Sequence, residues 1–262
     1  MKKIVSISIL SIFILWSCKK QDAAGVTSDI ILHYDNIAGA ADLVLDTDTY
    51  TNAAGENYTI SKFDYYISNI KLKKSDGTEY VIPQDKSYFL VKESDAASQE
   101  IELNDIPVGS YSAVTFTIGV DSNRCTADIS KRTGALDPAA GGLGMYWAWN
   151  SGYIFVKMEG TSPASMMAGN KIQYHIGGYG GMISPTINNI KTVTLAFPSG
   201  VTANVKTGKK PEVHMLVDTK KVLNGGTTIS IAANPMIMFD PVSVSIANNY
   251  KNMFTIDHIH ND

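Results

Sequence analysis

The chain has 262 residues and a formal net charge of −3, with a sequence pI of about 5.9. This slightly acidic balance excludes the strongly basic surface on which nucleic-acid binding depends. Hydrophobic residues make up 44% of the chain, which fits one large folded domain or two small ones and excludes a disordered chain.

The first twenty residues, MKKIVSISILSIFILWSCKK, have the composition of a bacterial export signal. Lys2 and Lys3 precede an apolar run over residues 4–15, which is too short to span a bilayer comfortably. The run ends in Leu-Trp-Ser-Cys at residues 15–18, which looks like the cleavage site of a bacterial lipoprotein. An ordinary secretory signal with a chance cysteine is the alternative interpretation.

The lipoprotein interpretation predicts that residues 1–17 are removed as a signal peptide and that Cys18 carries the lipid. Residues 18–28, which are small and polar, then form the anchor and tether. The lipid would hold the protein on a membrane of the cell envelope, in the periplasm or at the outer-membrane surface. Because a lipidated Cys18 leaves Cys125 without a partner, no intramolecular disulfide is predicted.

The rest of the chain, residues 29–262, consists of many short β-branched and aromatic segments separated by turn signals. Helical patterns are confined to short pieces near residues 162–167 and 242–250. This arrangement predicts an all-β fold, a single antiparallel β-sandwich or barrel-like domain with long loops. The predicted strands cover residues 30–34, 42–50, 59–72, 79–83, 88–91, 99–103, 111–120, 171–176, 192–197, 213–218 and 228–232.

A long polar, glycine-rich loop over residues 121–144 leads into an aromatic segment, residues 141–160, with the sequence GGLGMYWAWNSGYIFVKMEG. Loops of this length are often functional. Because residues i and i+2 of a strand share a face, Trp147 and Trp149 should project together. They are interpreted either as the border of a functional site or as part of a core aromatic cluster.

The chain contains five histidines, at positions 33, 175, 214, 258 and 260. His258 and His260 are separated by one residue, so in an extended tail both imidazoles face the same way and could reach one metal ion. Imidazole suits copper, zinc, iron or nickel. The alternative for this pair is a frayed, polar carboxyl terminus.

The other candidate ligands carry weaker signals. His175 lies on the polar face of its predicted strand, just before a glycine-rich turn. His214 ranks lower because its face, opposite Val213 and its alternate neighbours, is expected to be solvated, and His33 is equally ambiguous. Cys125 is a candidate soft ligand, with a lone buried thiol as the alternative.

Recognisable catalytic motifs are missing from the sequence. It contains no GxSxG, HExxH or P-loop motif and no GxGxxG in a βαβ context. No pair of carboxylates has a spacing that assigns acid and base roles. We therefore predict that the protein is not an enzyme.

Several segments together resemble the MbnP-like family, exported copper-associated proteins named for a member of methanobactin gene clusters. The resemblance runs from about Ile30 to the carboxyl terminus. It is carried by YYISNIKL at residues 65–72, GVDS at 119–122, GALDP at 134–138, GMYWAWNSGYIFVKMEG from Gly144 and YHIGG from Tyr174. The final DHIHND resembles the Bacteroidota-type lipoprotein members of the family.

The resemblance implies an all-β periplasmic or surface protein. Some relatives bind copper through histidines together with a kynurenine, made from a Trp by a partner di-haem enzyme of the cytochrome c peroxidase type. Trp147 and Trp149 match the paired Trp positions of the family, and His175 matches the His of its HLG-type motif. The resemblance thus implies copper, a kynurenine at position 147 or 149, and His175 as a ligand.

This sequence departs from the family pattern at residues 121–125. Many relatives carry Asn-His here, whereas this chain has Asp-Ser-Asn-Arg-Cys. Arg124 cannot ligate a metal because its guanidinium stays protonated, so Cys125 is the candidate replacement. Two functions follow: a lipid-anchored copper-binding protein, or a structural or glycan-binding surface lipoprotein in which the metal site is degenerate.

Overall fold

The computed structural model describes residues 25–147 and 152–261. The predicted signal peptide (residues 1–17), the predicted lipidation site Cys18 and the candidate Trp149 lie outside these residues. Within them the chain forms sixteen strands: β1 Thr27–Ala38, β2 Ala41–Asp42, β3 Tyr50–Thr51, β4 Asn57–Lys74, β5 Glu79–Val81, β6 Tyr88–Lys92, β7 Glu100–Pro107, β8 Gly109–Ile118, β9 Tyr146–Trp147, β10 Gly152–Thr161, β11 Lys171–Gly177, β12 Lys191–Ala196, β13 Ala203–Val205, β14 Glu212–Asp218, β15 Met236–Ile237 and β16 Phe254–His260. Three short α-helices accompany them: α1 Ser122–Cys125, α2 Lys221–Asn224 and α3 Pro241–Tyr250.

The strands form two sheets. Sheet 1 has five strands in the order β16-β14-β1-β2, with β7 also paired to β1. Sheet 2 has eleven strands and is built on the order β12-β8-β4-β10-β11-β15. The sandwich-like all-β architecture confirms the predicted fold class. Two pairings, β1 with β14 and β11 with β15, are parallel, so the sheets are mixed rather than purely antiparallel as predicted.

Alternating burial fixes the register of the strands in sheet 1. In β14, Val213, Met215 and Val217 are fully buried in the main core, while the residues between them are partly exposed. Burying each side chain of this kind contributes about 1.5–3 kcal/mol. A slip by one residue would turn all three to solvent and cost several such increments. The same alternation therefore holds Glu212 and His214 on the outer face of the sheet.

The carboxyl-terminal segment is an ordered strand and not a frayed tail. Helix α3 precedes it. Asp240 caps the amino-terminal end of this helix, because its carboxylate accepts hydrogen bonds from the backbone N–H groups of Val242 (2.8 Å) and Ser243 (3.3 Å). Ile246, Ala247 and other apolar residues of α3 are buried in the core. The chain then turns, and β16 pairs antiparallel with β14 over its whole length.

The predicted elements and the structure differ in three places. Residues 43–49 form a turn between the two-residue strands β2 and β3, because the polar sequence Asp-Thr-Asp-Thr favours turns. Residues 228–232 form no strand; the carboxylate of Glu56 accepts the backbone N–H groups of Ile231 and Ala232. Residues 162–167 form no α-helix, whereas the predicted helix at 242–250 is confirmed within α3.

A second, smaller core lies where the 121–144 loop meets β9 and β10. Its members include Cys125, Leu136, Met145, Trp147 and Tyr153. The hydroxyl of Tyr153 donates to the backbone carbonyl of Leu136 at 2.9 Å, which ties the loop to β10. Among the described residues, no helix has the length and apolar character needed to cross a membrane.

Candidate metal site

Sheet 1 brings four of the five histidines together on its outer face. In the register of the sheet, His33 of β1 lies opposite His214 of β14. His214 in turn lies opposite His258 of β16, and Glu212 lies opposite His260. The four imidazoles come from three adjacent strands, and neighbouring ring centroids are 4.1 to 4.6 Å apart.

Glu212 connects two of these histidines. Its Oε1 lies 3.0 Å from Nδ1 of His33 and 2.8 Å from Nε2 of His214. One ligand atom from each of the three residues lies within 4.8 Å of the other two, and all three residues are partly buried. We call His33, Glu212 and His214 the His–Glu centre. A metal ion could take one oxygen and two nitrogen ligands here.

The charges of the His–Glu centre favour the forms that bind metal. Burial opposes ionisation of Glu212, but the hydrogen bond from His33 and the positive charges of His214 and His33 outweigh it and lower the pKa of Glu212. Burial, followed by the charge of His33, lowers the pKa of His214. At neutral pH Glu212 is therefore ionised and His214 is neutral, and metal binding requires both states.

His258 and His260 form a second group beside the centre, which we call the tail pair. Their Nε2 atoms are 2.9 Å apart. Nδ1 of His258 lies 2.6 Å from the carboxylate of Asp257. The His258 ring stacks on that of His214, with centroids 4.4 Å apart and an interplanar angle of 13°. His258 and His260, which were expected to face the same way, therefore do so.

An irregularity in β16 produces this arrangement. The pairing of β14 with β16 shifts between His214 and Met215, because His214 lies opposite His258 whereas Met215 lies opposite Ile256. Asp257 is the extra residue, and both it and His258 are exposed. A β-bulge of this kind re-aims side chains, and here it places the Asp257 carboxylate next to the imidazole of the following residue.

His175 lies in sheet 2, apart from the other four histidines. Its strand β11 buries Tyr174 and Ile176 in the main core and leaves His175 on the outer face of that sheet. Nε2 of His175 is 2.6 Å from Oε1 of Glu159, which is also 3.4 Å from Nζ of Lys157. Burial lowers the pKa of His175 despite its hydrogen bond to Glu159. The predicted ligands His175, His258 and His260 are therefore divided between two sheets.

Cys125 and Arg124 both lie in the 121–144 loop, and each has a structural partner elsewhere in the chain. Cys125 is 2% exposed, its Sγ donates to the carbonyl of Val120 at 3.4 Å, and burial raises its pKa to about 12. The thiol stays protonated at neutral pH, which favours the interpretation as a buried cysteine. Arg124 pairs with Asp85 at 2.5 Å and lies over the ring of Tyr88, 4.7 Å from its centroid.

Trp147 is a packed member of the second core. It is 5% exposed, and its ring lies edge-on to Phe239 with centroids 6.4 Å apart. A Cβ on Gly177 would lie 2.7 Å from the Trp147 ring, so the glycine permits this close packing. A cleft of about 230 Å³ adjoins Trp147, with Tyr179 and Phe239 also in its wall.

His33, Glu212 and His214 are the site residues that sequence reasoning did not select. Each occupies a polar position of a strand with alternating burial, and that alternation is the only sequence signal for them. Because that face is expected to be solvated, the sequence ranks His214 low as a metal ligand. The pairing that joins His33 to His214 links positions 181 residues apart in a parallel register, and nothing local in the sequence specifies it.

The fold and this surface define a sandwich-like all-β protein with a candidate histidine–carboxylate metal site on one outer face. The MbnP family model matches residues 27–239, and the chain belongs to the MbnP family. The structure of MbnP from Methylosinus trichosporium is similar in fold, with a TM-score of 0.54 and 14% sequence identity over 90% of this chain and 99% of that one. No curated protein matches the sequence. The family match ends before α3 and β16, so the tail pair lies beyond it.

Proposed function

We propose that the protein binds copper at the His–Glu centre, as an exported lipoprotein without catalytic activity of its own. The observation that carries the proposal is the convergence of two imidazole nitrogens and one carboxylate oxygen within 4.8 Å. The short distances from Glu212 to His33 and His214 are hydrogen bonds. A bound ion would replace the protons shared among the three groups, as metal binding to such ligands generally does.

Two arguments favour copper over other metals. Imidazole and carboxylate ligands accept several divalent ions, but affinity for a given set of ligands peaks at Cu²⁺ in the divalent series. The family resemblance independently implies copper. The centre fits this metal because two of its three donors are imidazoles and its carboxylate is ionised at neutral pH.

The proposal includes export and anchoring through Cys18 after removal of residues 1–17. It also includes oxidation of a Trp to kynurenine by a di-haem partner enzyme. Trp147 packs tightly against Gly177 and Phe239, and opening its indole ring would disrupt that packing. We therefore assign the oxidation to Trp149. Peptide mass spectrometry of protein from its native host tests this assignment: kynurenine is expected at 149, and kynurenine at 147 would contradict it.

Copper titration of the mature chain in competition with a chromophoric chelator tests the metal site. We expect the double variant His33→Asn/His214→Asn to lose affinity for Cu(II) by about 100-fold or more, since it lacks two of the three ligands. His175→Asn is the matched control, because it removes a partly buried histidine that also pairs with a glutamate. Loss of copper binding in His175→Asn, with binding retained in the double variant, would place the copper site at His175 in sheet 2.

A second function is supported by the cleft beside Trp147, which has Tyr179 and Phe239 in its wall. Aromatic surfaces of this kind can stack on sugar rings. On this alternative the protein is a structural or glycan-binding surface lipoprotein. Binding to a glycan array that persists with a chelator and is lost in Tyr179→Ala would favour it, whereas no glycan binding would remove its support.

A further inference from the structure

We propose that the tail pair is a second ligand set, so that sheet 1 binds two copper ions side by side, one at the His–Glu centre and one at His258 and His260. This inference rests on the proposed function, because it concerns the same metal on the same face. It assigns to the carboxyl-terminal strand, which lies beyond the family match, a ligand set of its own.

The spacing of the tail pair fits two ligands on one ion. At metal–nitrogen bonds of about 2.0 Å, nitrogens at a right angle are about 2.8 Å apart and nitrogens at a tetrahedral angle about 3.3 Å apart. The two Nε2 atoms are 2.9 Å apart, close to the right-angle value. Square-planar or tetragonal geometry with nitrogen ligands is typical of Cu(II).

Asp257 prepares His258 for this role. Its carboxylate lies 2.6 Å from Nδ1 of His258 and can only accept the proton on that nitrogen. Nε2 of His258 is then left with a free lone pair, toward which Nε2 of His260 donates in the metal-free chain. A carboxylate behind a ligating imidazole is the usual arrangement in metal sites, where it fixes the tautomer and ring orientation. The β-bulge supplies this carboxylate.

The stacking of His214 on His258 separates the two sets. The lone pair of an imidazole nitrogen lies in the plane of its ring. Because the two rings are stacked at 13° with centroids 4.4 Å apart, their lone pairs lie in nearly parallel planes and do not converge on one ion. His214 is also turned toward Glu212, at 2.8 Å. The four histidines therefore make two adjacent sites rather than one four-ligand site.

Each set also has its own negative charge. Glu212 lies within the His–Glu centre, and Asp257 lies behind the tail pair. Two cations bound on neighbouring strands repel each other, and a carboxylate beside each one reduces that repulsion. Neither ion therefore depends on the carboxylate of the other ligand set to offset its charge.

The number of ions bound by the mature chain tests the inference. We expect two Cu(II) per wild-type chain by titration and metal analysis, and one per chain in each of the double variants His258→Gln/His260→Gln and His33→Gln/His214→Gln. Glu102→Gln, on β7 of the same sheet, is the control and should keep two, because Glu102 pairs with Lys210 and belongs to neither ligand set. The tail residues are exposed and outside the core, and circular dichroism checks that each variant is folded.

Electron paramagnetic resonance gives a second readout that a purely structural role would not change. In the fully loaded wild type, two neighbouring Cu(II) spins should broaden the signal and reduce its integrated intensity per ion. Either double variant should restore the spectrum of one isolated Cu(II).

One ion per wild-type chain would overturn the inference, whether or not the tail variant weakens its binding. Two bound ions whose electron paramagnetic resonance spectra show no coupling, with both ions still bound in the variant His258→Gln/His260→Gln, would overturn it as well. The absence of any bound copper would instead show that the proposed function itself is wrong.

Discussion

Glu212 joins two histidines of the candidate site through one carboxylate oxygen. Its position depends on the core behind it, because Val213 and the alternate residues of β14 hold the strand in register. At this scale the sequence indicated part of the histidine cluster, since the spacing of His258 and His260 predicts that their imidazoles lie on the same side of the strand, as they do. Glu212 and His33 were not distinguished from other polar residues, because their significance lies in a strand pairing that no neighbouring residue indicates.

Replacement of Glu212 by Gln should weaken copper binding by about 10- to 100-fold, because it removes the charge and one ligand of the centre. The fold should be nearly unaffected, since the side chain is partly exposed. Isothermal titration with Cu(II) measures the effect. Glu102→Gln is the control: Glu102 lies on the same sheet but pairs with Lys210 at 2.5 Å. Equal losses in the two variants would indicate a general effect of charge.

Glu93 should make stability depend on pH. Burial raises its pKa to about 7, assisted by the charges of Asp42 and Asp35 and opposed by the hydrogen bond from Asn36. Because this value exceeds the ordinary one, the folded chain holds a proton that the unfolded chain releases. The contribution of Glu93 is fully present below about pH 4 and is lost as the pH rises through about 7.

The variant Glu93→Gln resembles the protonated form and should lack this dependence. Its free energy of unfolding relative to wild type should therefore increase between about pH 5 and pH 8. Urea unfolding at several pH values measures the difference. A difference that is constant across this range, or one that falls, would show that Glu93 titrates normally in the folded protein.

At the scale of the elements, β-branched and aromatic segments between turn signals predicted most of the strands. The prediction failed at residues 228–232, where a side chain, and not a neighbouring strand, accepts the backbone N–H groups. Residues 228–232 have strand-like composition, but the Glu56 carboxylate accepts their N–H groups. Strand neighbours were not predictable in the same way. The parallel pair of β1 and β14, which creates the His–Glu centre, is specified by packing of the main core and not by a local turn.

The pairing of β10 with β11 depends on the absence of a side chain at Gly177. A Cβ there would lie 2.4 Å from the backbone oxygen of Tyr153 and 2.7 Å from the ring of Trp147. Gly177→Ala should therefore lower the free energy of unfolding by about 3 kcal/mol, as expected for overpacking of a dense core. Chemical denaturation measures this. Gly25→Ala, where nothing lies within 4 Å of the added Cβ, should have no effect.

At the scale of the whole molecule, family and fold were accessible from the sequence because motifs spread along the chain resemble MbnP, and the family match over residues 27–239 confirms that resemblance. The candidate metal site was accessible only in part. The family pattern directed attention to His175 and the Trp segment, which belong to sheet 2 and the second core. The histidine cluster lies in sheet 1, and of its members only His258 and His260, in the final DHIHND, belong to the segments that carry the resemblance.

Copper bound at the proposed His–Glu centre should stabilise the fold, because the ligands of the centre lie on two paired strands, β1 and β14. A ligand that binds only the folded state adds about 2.7 kcal/mol at a concentration of about 100 times Kd. For a domain of this size the thermal midpoint should rise by about 5–10 °C. Differential scanning calorimetry with and without Cu(II) measures the shift. The variant His33→Asn/His214→Asn should show a smaller shift, because it lacks two ligands of the His–Glu centre, and an equal shift in that variant would place the ion elsewhere.

The parallel pairing of β1 and β14 also determines when the ligands meet. His33 and Glu212 are 179 residues apart in the chain, and His258 and His260 belong to the last strand. Bringing residues so far apart in the chain together costs loop-closure entropy, which only the surrounding strand pairing and core packing offset. A growing or unfolded chain therefore carries its histidines as separate, weak ligands. The His–Glu centre therefore forms only once β1 has paired with β14, and His258 and His260 join it only once β16 has paired with β14.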